Sequence, residues 1–215
     1  HYLTALAQAY SAITDAGMKA KLKERLDYCV TIMKDCQDAY DQNTQGLYGF
    51  IGGQPINQIW TGLYSYNLSE FQRYGGWVPF YCSHKILAGL RDAWMYAGSD
   101  MAKEMFLKLC DWGCDVTGSL TDEEMERMCG QEFGGMNEVY ADAYQITGDI
   151  KYLEVAKRFA HHWLLDSMAK GVDNLDNRHA NTQVPKVVGH ARTAEMLQLA
   201  GHESDAAYYQ KAAEF

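Results

Sequence analysis

The chain has few prolines and no long apolar segment, and each shortage excludes a class of protein. Only 3 of its 215 residues are proline, too few for a collagen-like or proline-rich chain. Its apolar runs span only a few residues, whereas a membrane helix needs about 20. With 47% hydrophobic residues and 15 tyrosines, the composition predicts a helix-rich globular protein without a membrane span.

Clusters of basic residues are also missing. The formal net charge is -9, and no stripe of lysine or arginine offsets it locally. Such a surface repels phosphate backbones, so we expect no nucleic-acid partner.

The cysteines are too few and too irregularly spaced to form a disulfide framework in a chain of this length. Cys110 and Cys114, four residues apart on a predicted helix, could supply half of a zinc site, but no second pair at matching spacing completes it. Cys29 and Cys36 are seven residues apart and share a helix face, which predicts two small core side chains. We therefore expect no metal site built from this chain alone.

A helical hairpin recurs along the chain. Four similar segments end at bulky residues, which are Tyr10, Trp94, Tyr144 and Leu197. Three of them run into a stop that contains a glycine, at Gly98, Gly148 and Gly201. Glycine suits a helix C-cap with positive φ, and the aspartate that follows two of these stops can cap the next helix. A second amphipathic helix is predicted after each hairpin turn, over 22–36, 101–116, 151–165 and from 203 to the end.

The spacing of these hairpins is nearly regular. It is 50 residues from Trp94 to Tyr144 and 53 from there to Leu197, but 84 from Tyr10 to Trp94. The extra length predicts one insertion over about 41–81, rich in glycine and aromatic residues. A long irregular segment of this kind is usually functional or disordered, and its aromatic content favours an ordered one.

A period near 50 suits either an (α/α) toroid or a helical solenoid. The segments that lead into the first helix of each hairpin carry histidine, glutamate, asparagine, glutamine and tryptophan, which favours a toroid with a polar pocket. The predicted fold class is all-α, with one domain over 1–215.

Three histidines occupy similar places in the repeat. His1 and His84 lie just before a predicted first helix, and His179 lies in the loop before the fourth hairpin. A neutral imidazole can both donate and accept hydrogen bonds with sugar hydroxyls. The alternative is that each histidine binds only neighbouring backbone groups.

Two carboxylates flank a pair of glycines. Glu132 and Glu138 are six residues apart, and Gly134 and Gly135 between them allow the backbone to approach a ligand closely. Paired carboxylates indicate glycoside chemistry, in which one acid protonates the leaving oxygen. The alternative is that Glu132 caps a helix and Glu138 binds backbone.

Residues 179–186 place three side chains that can bind hydroxyls, His179, Asn181 and Gln183, ahead of Pro185, which fits a helix start. We predict a pre-helical loop that binds a neutral polar ligand, with a plain capping loop as the alternative. Trp77 offers an aromatic surface to a sugar ring, and core packing is its alternative role.

Other patterns carry no chemistry. His161 and His162 are predicted to lie within a helix and to be structural, because adjacent helical residues point to different sides. No serine-nucleophile elbow, phosphate-binding loop or zinc-protease motif occurs.

Four motifs, in order and spacing, resemble glycoside hydrolase family 127 and its relatives. They are Trp77-Val-Pro-Phe-Tyr81 leading to His84-Lys-Ile-Leu-Ala-Gly-Leu90, then Glu132-Phe-Gly-Gly-Met-Asn-Glu138, and His179-Ala-Asn-Thr-Gln-Val-Pro-Lys186. His1-Tyr2-Leu3 also matches a helix start of that family. The resemblance covers essentially the whole chain.

This resemblance implies an (α/α)6 barrel and a retaining β-L-arabinofuranosidase acting on plant-type or glycoprotein arabinosides. It implies that His1, His84 and His179 contact the sugar. It also implies a zinc-bound cysteine nucleophile, zinc ligands that include cysteines and a glutamate, and a second glutamate as acid/base. No motif here matches those groups, so we expect zinc and the catalytic residues in a later part of the full-length protein.

Four hairpins stand where a closed barrel has six, so the chain reads as the front part of that barrel and is expected to be inactive alone. The predicted substrate-binding residues are His1, His84, His179, Asn181, Gln183, Glu132, Glu138 and Trp77. A non-catalytic helical scaffold and a polysaccharide lyase or epimerase stay open as alternatives, since fold alone does not fix function. A homodimer, and a bacterial periplasm or cytoplasm as location, stay open too.

Overall fold

A computed structural model describes residues 1–43, 48–53 and 78–215, with the backbone alone for Asn43. All regular secondary structure in these ranges is helical, which confirms the all-α prediction. The helices are α1 (Tyr2–Ala12), α2 (Ala16–Asn43), α3 (Pro79–Ala97), α4 (Asp100–Gly118), α5 (Asp122–Cys129), α6 (Met136–Thr147), α7 (Ile150–Arg158), α8 (His162–Ala169), α9 (Ala180–Leu199) and α10 (Glu203–Glu214).

The chain divides into two compact units. Among the described residues, unit 1 contains 1–43, 48–53 and 85–113, and unit 2 contains 78–84 and 114–215. None of the described helices is long and apolar enough to cross a membrane.

Unit 1 is built on the hairpin of α1 and α2, which pack together across a three-residue turn. Asp15 starts α2 by accepting a hydrogen bond from the backbone N–H of Met18 at 2.7 Å, as an N-cap aspartate does. In the core, the Phe50 ring lies 4.8 Å from the Trp112 ring, centroid to centroid. The buried Gln37 amide donates to the carbonyls of Gly49 and Met105 and fixes this irregular segment to the helices.

Unit 2 has an aromatic core centred on Phe159. Its ring stacks on Tyr140 at 5.9 Å and lies within 5.5 Å of Phe133 and Phe80, centroid to centroid. Phe159, Phe133 and Tyr140 are all at most 2% exposed. Buried aromatic side chains of this size dominate core energetics, so this cluster fixes the first residues of α3, the helix α6 and the end of α7 around one point within unit 2.

The predicted glycine stops are confirmed. Gly98, Gly148 and Gly201 all have φ between 68° and 81°, which only glycine adopts without strain. The predicted aspartate cap is confirmed at Asp149, whose carboxylate accepts from the N–H of Lys151 at 3.0 Å. The sequence punctuation therefore sets the boundary between α6 and α7.

The prediction of one helix over 151–165, with His161 and His162 inside it, is wrong. Helix α7 ends at Arg158 and α8 begins at His162, with His161 between them at φ 56° and ψ 81°. The Glu126 carboxylate accepts hydrogen bonds from the N–H groups of His162 and Trp163. In a continuous helix these N–H groups would bind carbonyls four residues earlier. The contact with Glu126 replaces those bonds, so the helix can break although the apolar residues keep a helical spacing.

The prediction of a loop over 179–186 is also wrong. Helix α9 begins at Ala180, with His179 as its N-cap residue, and Pro185 lies inside the helix. Proline is costly in a helix interior because it lacks the N–H that binds the carbonyl four residues earlier. Here it falls near the helix start, and packing of α9 against α6 and α10 maintains the helix.

Two further predictions meet the structure in part. Cys36 is exposed and Cys29 partly exposed, so the expectation of two core cysteines is wrong, because this face of α2 is not covered. Of the predicted insertion over 41–81, its first three residues belong to α2 and its last three to α3. Apart from 48–53 and Val78, the remainder lies outside the described residues.

Candidate functional site

The candidate site lies in unit 2, where three predicted polar side chains fall within the first six residues of three helices. His84 is the sixth residue of α3, Glu138 the third of α6 and Gln183 the fourth of α9. His84 is 5% and Gln183 8% exposed, and the Glu138 side chain is 24% exposed. Polar groups buried to this extent are rare unless they are bonded or serve a ligand.

The glycine pair forms a wall against the His84 ring. A Cβ atom placed on Gly134 would lie 2.5 Å from Nδ1 of His84, and one placed on Gly135 would lie 3.0 Å from Nε2. Gly134 also has φ 62°. The predicted close approach of this backbone is present, and the group it approaches in the structure is the imidazole.

Glu138 faces the same imidazole. Its Oε2 lies 3.9 Å from Nε2 of His84, and a Cβ on Gly135 would lie 2.9 Å from that oxygen. The connection before α6 therefore brings a carboxylate, an imidazole and a glycine backbone together. This set can both donate to and accept from a neutral hydroxyl-bearing ligand.

Gln183 adds a buried amide on the adjacent helix. Its Oε1 has no hydrogen-bond partner among the described residues. It lies one turn before Lys186, and helical residues three apart share a face. The backbone carbonyl of Lys186 accepts a hydrogen bond from Nδ2 of Asn137, the neighbour of Glu138, so this part of α9 packs against the start of α6.

The structure places the other predicted residues as follows. His179 is exposed and its side chain makes no capping bond, and Asn181 is exposed as well. Glu132 is half-buried in the connection before α6. His1 is exposed in unit 1, where it borders a largely apolar cavity of about 390 Å³. Trp77 lies outside the described residues. For all five, a role in binding stays a prediction.

Sequence reasoning missed Lys186, which the motif contains but which was given no role. Its side chain is fully buried, and its Nζ donates to the carbonyl oxygen of Cys129 and contacts Nδ1 of His161, both at 2.9 Å. The same Nζ lies 4.5 Å from the centre of the Phe133 ring. Burial lowers the pKa of the Lys186 amine to about 8, although the negative charge of Glu132 opposes the shift.

His161 links this amine to the surface. Because its Nδ1 accepts from Lys186, the ring proton stands on Nε2, which lies 3.9 Å from the Glu126 carboxylate. Burial, reinforced by the charge of Lys186, lowers the pKa of His161 to about 3. The imidazole is therefore neutral at physiological pH and serves as an acceptor for the amine.

A second buried histidine, His190, binds the backbone next to His161. His190 is fully buried, and its Nε2 donates to the carbonyl oxygen of Ala160 at 2.7 Å. Burial lowers its pKa to about 4. The sequence did not single out His190, because it lies inside a predicted helix and no local signal marks it.

Metal binding finds no support in these residues. The described part of the chain places no three histidine, cysteine, aspartate or glutamate side chains where they could hold a metal ion. Burial raises the pKa of the Cys129 thiol to about 12, so this cysteine is not a ready thiolate.

The family model described as beta-L-arabinofuranosidase, GH127 catalytic domain, matches residues 1–215. No curated protein matches the chain.

Proposed function

The chain belongs to the glycoside hydrolase family 127 catalytic-domain family, and from this premise we propose that it forms much of the sugar pocket of a retaining β-L-arabinofuranosidase. The substrate would be a plant-type or glycoprotein arabinoside. The observation that carries the proposal is the grouping of His84, Glu138 and the Gly134–Gly135 backbone at the start of α6.

The chemistry of this group suits a furanoside. A sugar hydroxyl is both donor and acceptor, so its recognition needs partners of both kinds. His84 and Glu138 supply an imidazole and a carboxylate, and Gln183 supplies an amide oxygen that has no partner among the described residues. A ligand hydroxyl that donated to this oxygen would remove the cost of leaving it unsatisfied.

In this proposal the catalytic residues and the zinc ligands come from a part of the full-length protein outside this chain. Zinc would polarise and hold a nucleophilic thiolate, a role for which the described residues offer no ligand set. We assign to this chain only the binding and orientation of the sugar, with His1, His179, Asn181, Glu132 and Trp77 as further contacts. The 215-residue chain alone is accordingly expected to be inactive.

The test is hydrolysis of p-nitrophenyl β-L-arabinofuranoside by the full-length protein that contains this chain. We expect His84→Ala to lower kcat/KM at least tenfold, a loss of about 1.4 kcal/mol or more of transition-state stabilisation. The matched control is His202→Ala, since His202 is exposed and its side chain makes no capping bond. The 215-residue chain alone should release no nitrophenol.

Three results would contradict the proposal. They are release by the 215-residue chain alone, equal kcat/KM for the His84→Ala variant and the wild type, and no release by the full-length protein. Far-UV circular dichroism of each variant establishes that a loss of activity is not a loss of fold.

A further inference from the structure

A single buried residue, Lys186, contacts the connection between α5 and α6 at three points. Its Nζ donates to the carbonyl of Cys129, the last residue of α5, at 2.9 Å. The same Nζ stands 4.5 Å above the Phe133 ring in the middle of the connection. Its backbone carbonyl accepts from Nδ2 of Asn137, in the first turn of α6, at 2.9 Å. The three contacts fall at regular intervals of four residues.

Between the second and third of these contacts lies the glycine pair. Gly134 and Gly135 follow Phe133 directly and precede Asn137, and they are the residues that close on the His84 ring. Glu138, whose carboxylate lies 3.9 Å from that ring, follows Asn137. The position of the wall and of the carboxylate therefore depends on a segment fixed at both ends by Lys186.

The ammonium group of Lys186 has its hydrogen-bonding capacity filled. Three N–H groups meet three partners, the Cys129 carbonyl, Nδ1 of His161 and the face of Phe133. His161 in turn presents its Nε2 to Glu126 at 3.9 Å, and Glu126 caps the start of α8. A buried amine with several directional partners is restricted to one position. Lys186 therefore restricts the positions of the Cys129 carbonyl and the Phe133 ring, which it contacts.

The helix that carries Lys186 is built to approach α6 closely. A Cβ atom on Gly189, one turn after Lys186, would lie 1.9 Å from Oδ1 of Asn137. Only glycine leaves room for the Asn137 amide to reach the Lys186 carbonyl. The close approach at Gly189 is therefore needed for the contact between Lys186 and Asn137.

We propose that Lys186 is a positioning residue, which holds the 130–137 connection so that Gly134 and Gly135 stay closed on His84 and Glu138 stays beside it. Lys186 itself has no route to a ligand, because it is fully buried. The residues it positions are those proposed above to bind the sugar. Its test needs no sugar, so the positioning role and the proposed function fail separately.

The test measures how fast diethyl pyrocarbonate modifies His84, resolved by peptide mass spectrometry. In the wild-type chain His84 is 5% exposed and should react slowly. Lys186→Met keeps the length and burial of the side chain but removes the donors, so the reaction of His84 should become at least tenfold faster. The matched control is Lys170→Met, at an exposed lysine, and it should leave the rate unchanged.

An internal reference separates positioning from general loosening. His190 lies on the same helix as Lys186, one turn later, and is fully buried. Positioning by Lys186 requires His84 to become reactive while His190 stays protected. Equal acceleration of both histidines, or an unchanged rate at His84, would overturn the proposal.

A second variant covers the case in which Lys186→Met does not fold. Lys186→Gln has the length of the methionine variant but retains an amide donor, so it should give an intermediate rate at His84. Amide hydrogen exchange of the same proteins should rise at least tenfold over residues 130–136 and stay unchanged over 140–146. Faster exchange that is spread evenly over unit 2 would equally overturn the positioning role.

Discussion

At the scale of single residues, the site depends on two glycines as much as on its polar side chains. Gly134 needs both a positive φ of 62° and room for the His84 ring. The sequence predicted that this glycine pair lets the backbone approach a ligand closely. In the structure the backbone approaches the His84 ring, and its approach to a ligand stays a prediction. What it approaches was not predictable, because His84 is 50 residues away and its ring position follows from packing.

The first prediction concerns Gly134→Ala. The added methyl group would lie 2.5 Å from Nδ1 of His84, at a backbone conformation that alanine adopts with strain. We expect the free energy of unfolding to fall by about 2 to 4 kcal/mol, from overpacking and the left-handed conformation together. Urea denaturation monitored by circular dichroism measures it.

The matched control for that change is Gly118→Ala. Gly118 lies in α4 and a Cβ there would meet nothing within 4 Å, so stability should stay the same or rise by up to about 1 kcal/mol. An unchanged stability in Gly134→Ala would show that the close approach to His84 is not a feature of the folded chain.

At the scale of helices, the sequence predicted the hairpins but not their interruptions. The glycine stops and the Asp149 cap are local signals, and they were right. The break at His161 and the early start of α9 were missed, because both are set by contacts remote in sequence. Glu126 caps α8 from 36 residues away, and no pattern within 151–165 announces it.

The break between α7 and α8 predicts a sensitivity to acid. The pKa of His161 in the folded chain is about 3, below its unfolded value near 6.5. The neutral ring thus stabilises the fold above pH 6.5, and this contribution is lost as the pH falls from 6.5 towards 3. At pH 4.5 the loss from this group is about 3 kcal/mol.

The measurement compares wild type with His161→Asn, since asparagine tolerates the left-handed conformation and does not titrate. Between pH 7 and pH 4.5 the variant should lose about 2 to 3 kcal/mol less unfolding free energy than wild type. His202→Asn, at an exposed histidine, should behave as wild type does. Identical losses in His161→Asn and wild type would show that this ring is not held neutral by burial.

At the scale of the whole molecule, the repeat near 50 residues and the four ordered motifs were enough to predict an all-α protein of family 127. The repeat and the motifs can be recognised in the sequence, because turn residues and motif order do not depend on contacts between distant residues. The site is less predictable. Of the residues expected to bind sugar, His84, Glu138 and Gln183 lie buried or half-buried within the first six residues of their helices, while His179 and Asn181 are exposed.

The missed residues share a physical reason. Lys186, His161 and Asn137 are polar groups that bind one another within unit 2 across 25 to 49 residues of sequence. Each looks ordinary in its own segment, and a lysine in an amphipathic pattern is expected on the surface. Their burial appears only when the helices are packed.

Gln183 separates binding from stability better than any other residue of the site. Its buried Oε1 has no partner among the described residues, so replacing it with an apolar side chain of the same length should not weaken the fold. If the oxygen serves a sugar hydroxyl, the same change should weaken binding. A residue kept only for packing would show no such difference.

The most direct measurement is therefore the affinity of wild type and Gln183→Met for methyl β-L-arabinofuranoside, determined by NMR titration alongside the melting temperature of each protein. We expect saturable binding by wild type, and binding at least tenfold weaker by Gln183→Met with no fall in melting temperature. Equal affinity of the two proteins, or no binding by folded wild type, would contradict a sugar pocket at the start of α6 and α9.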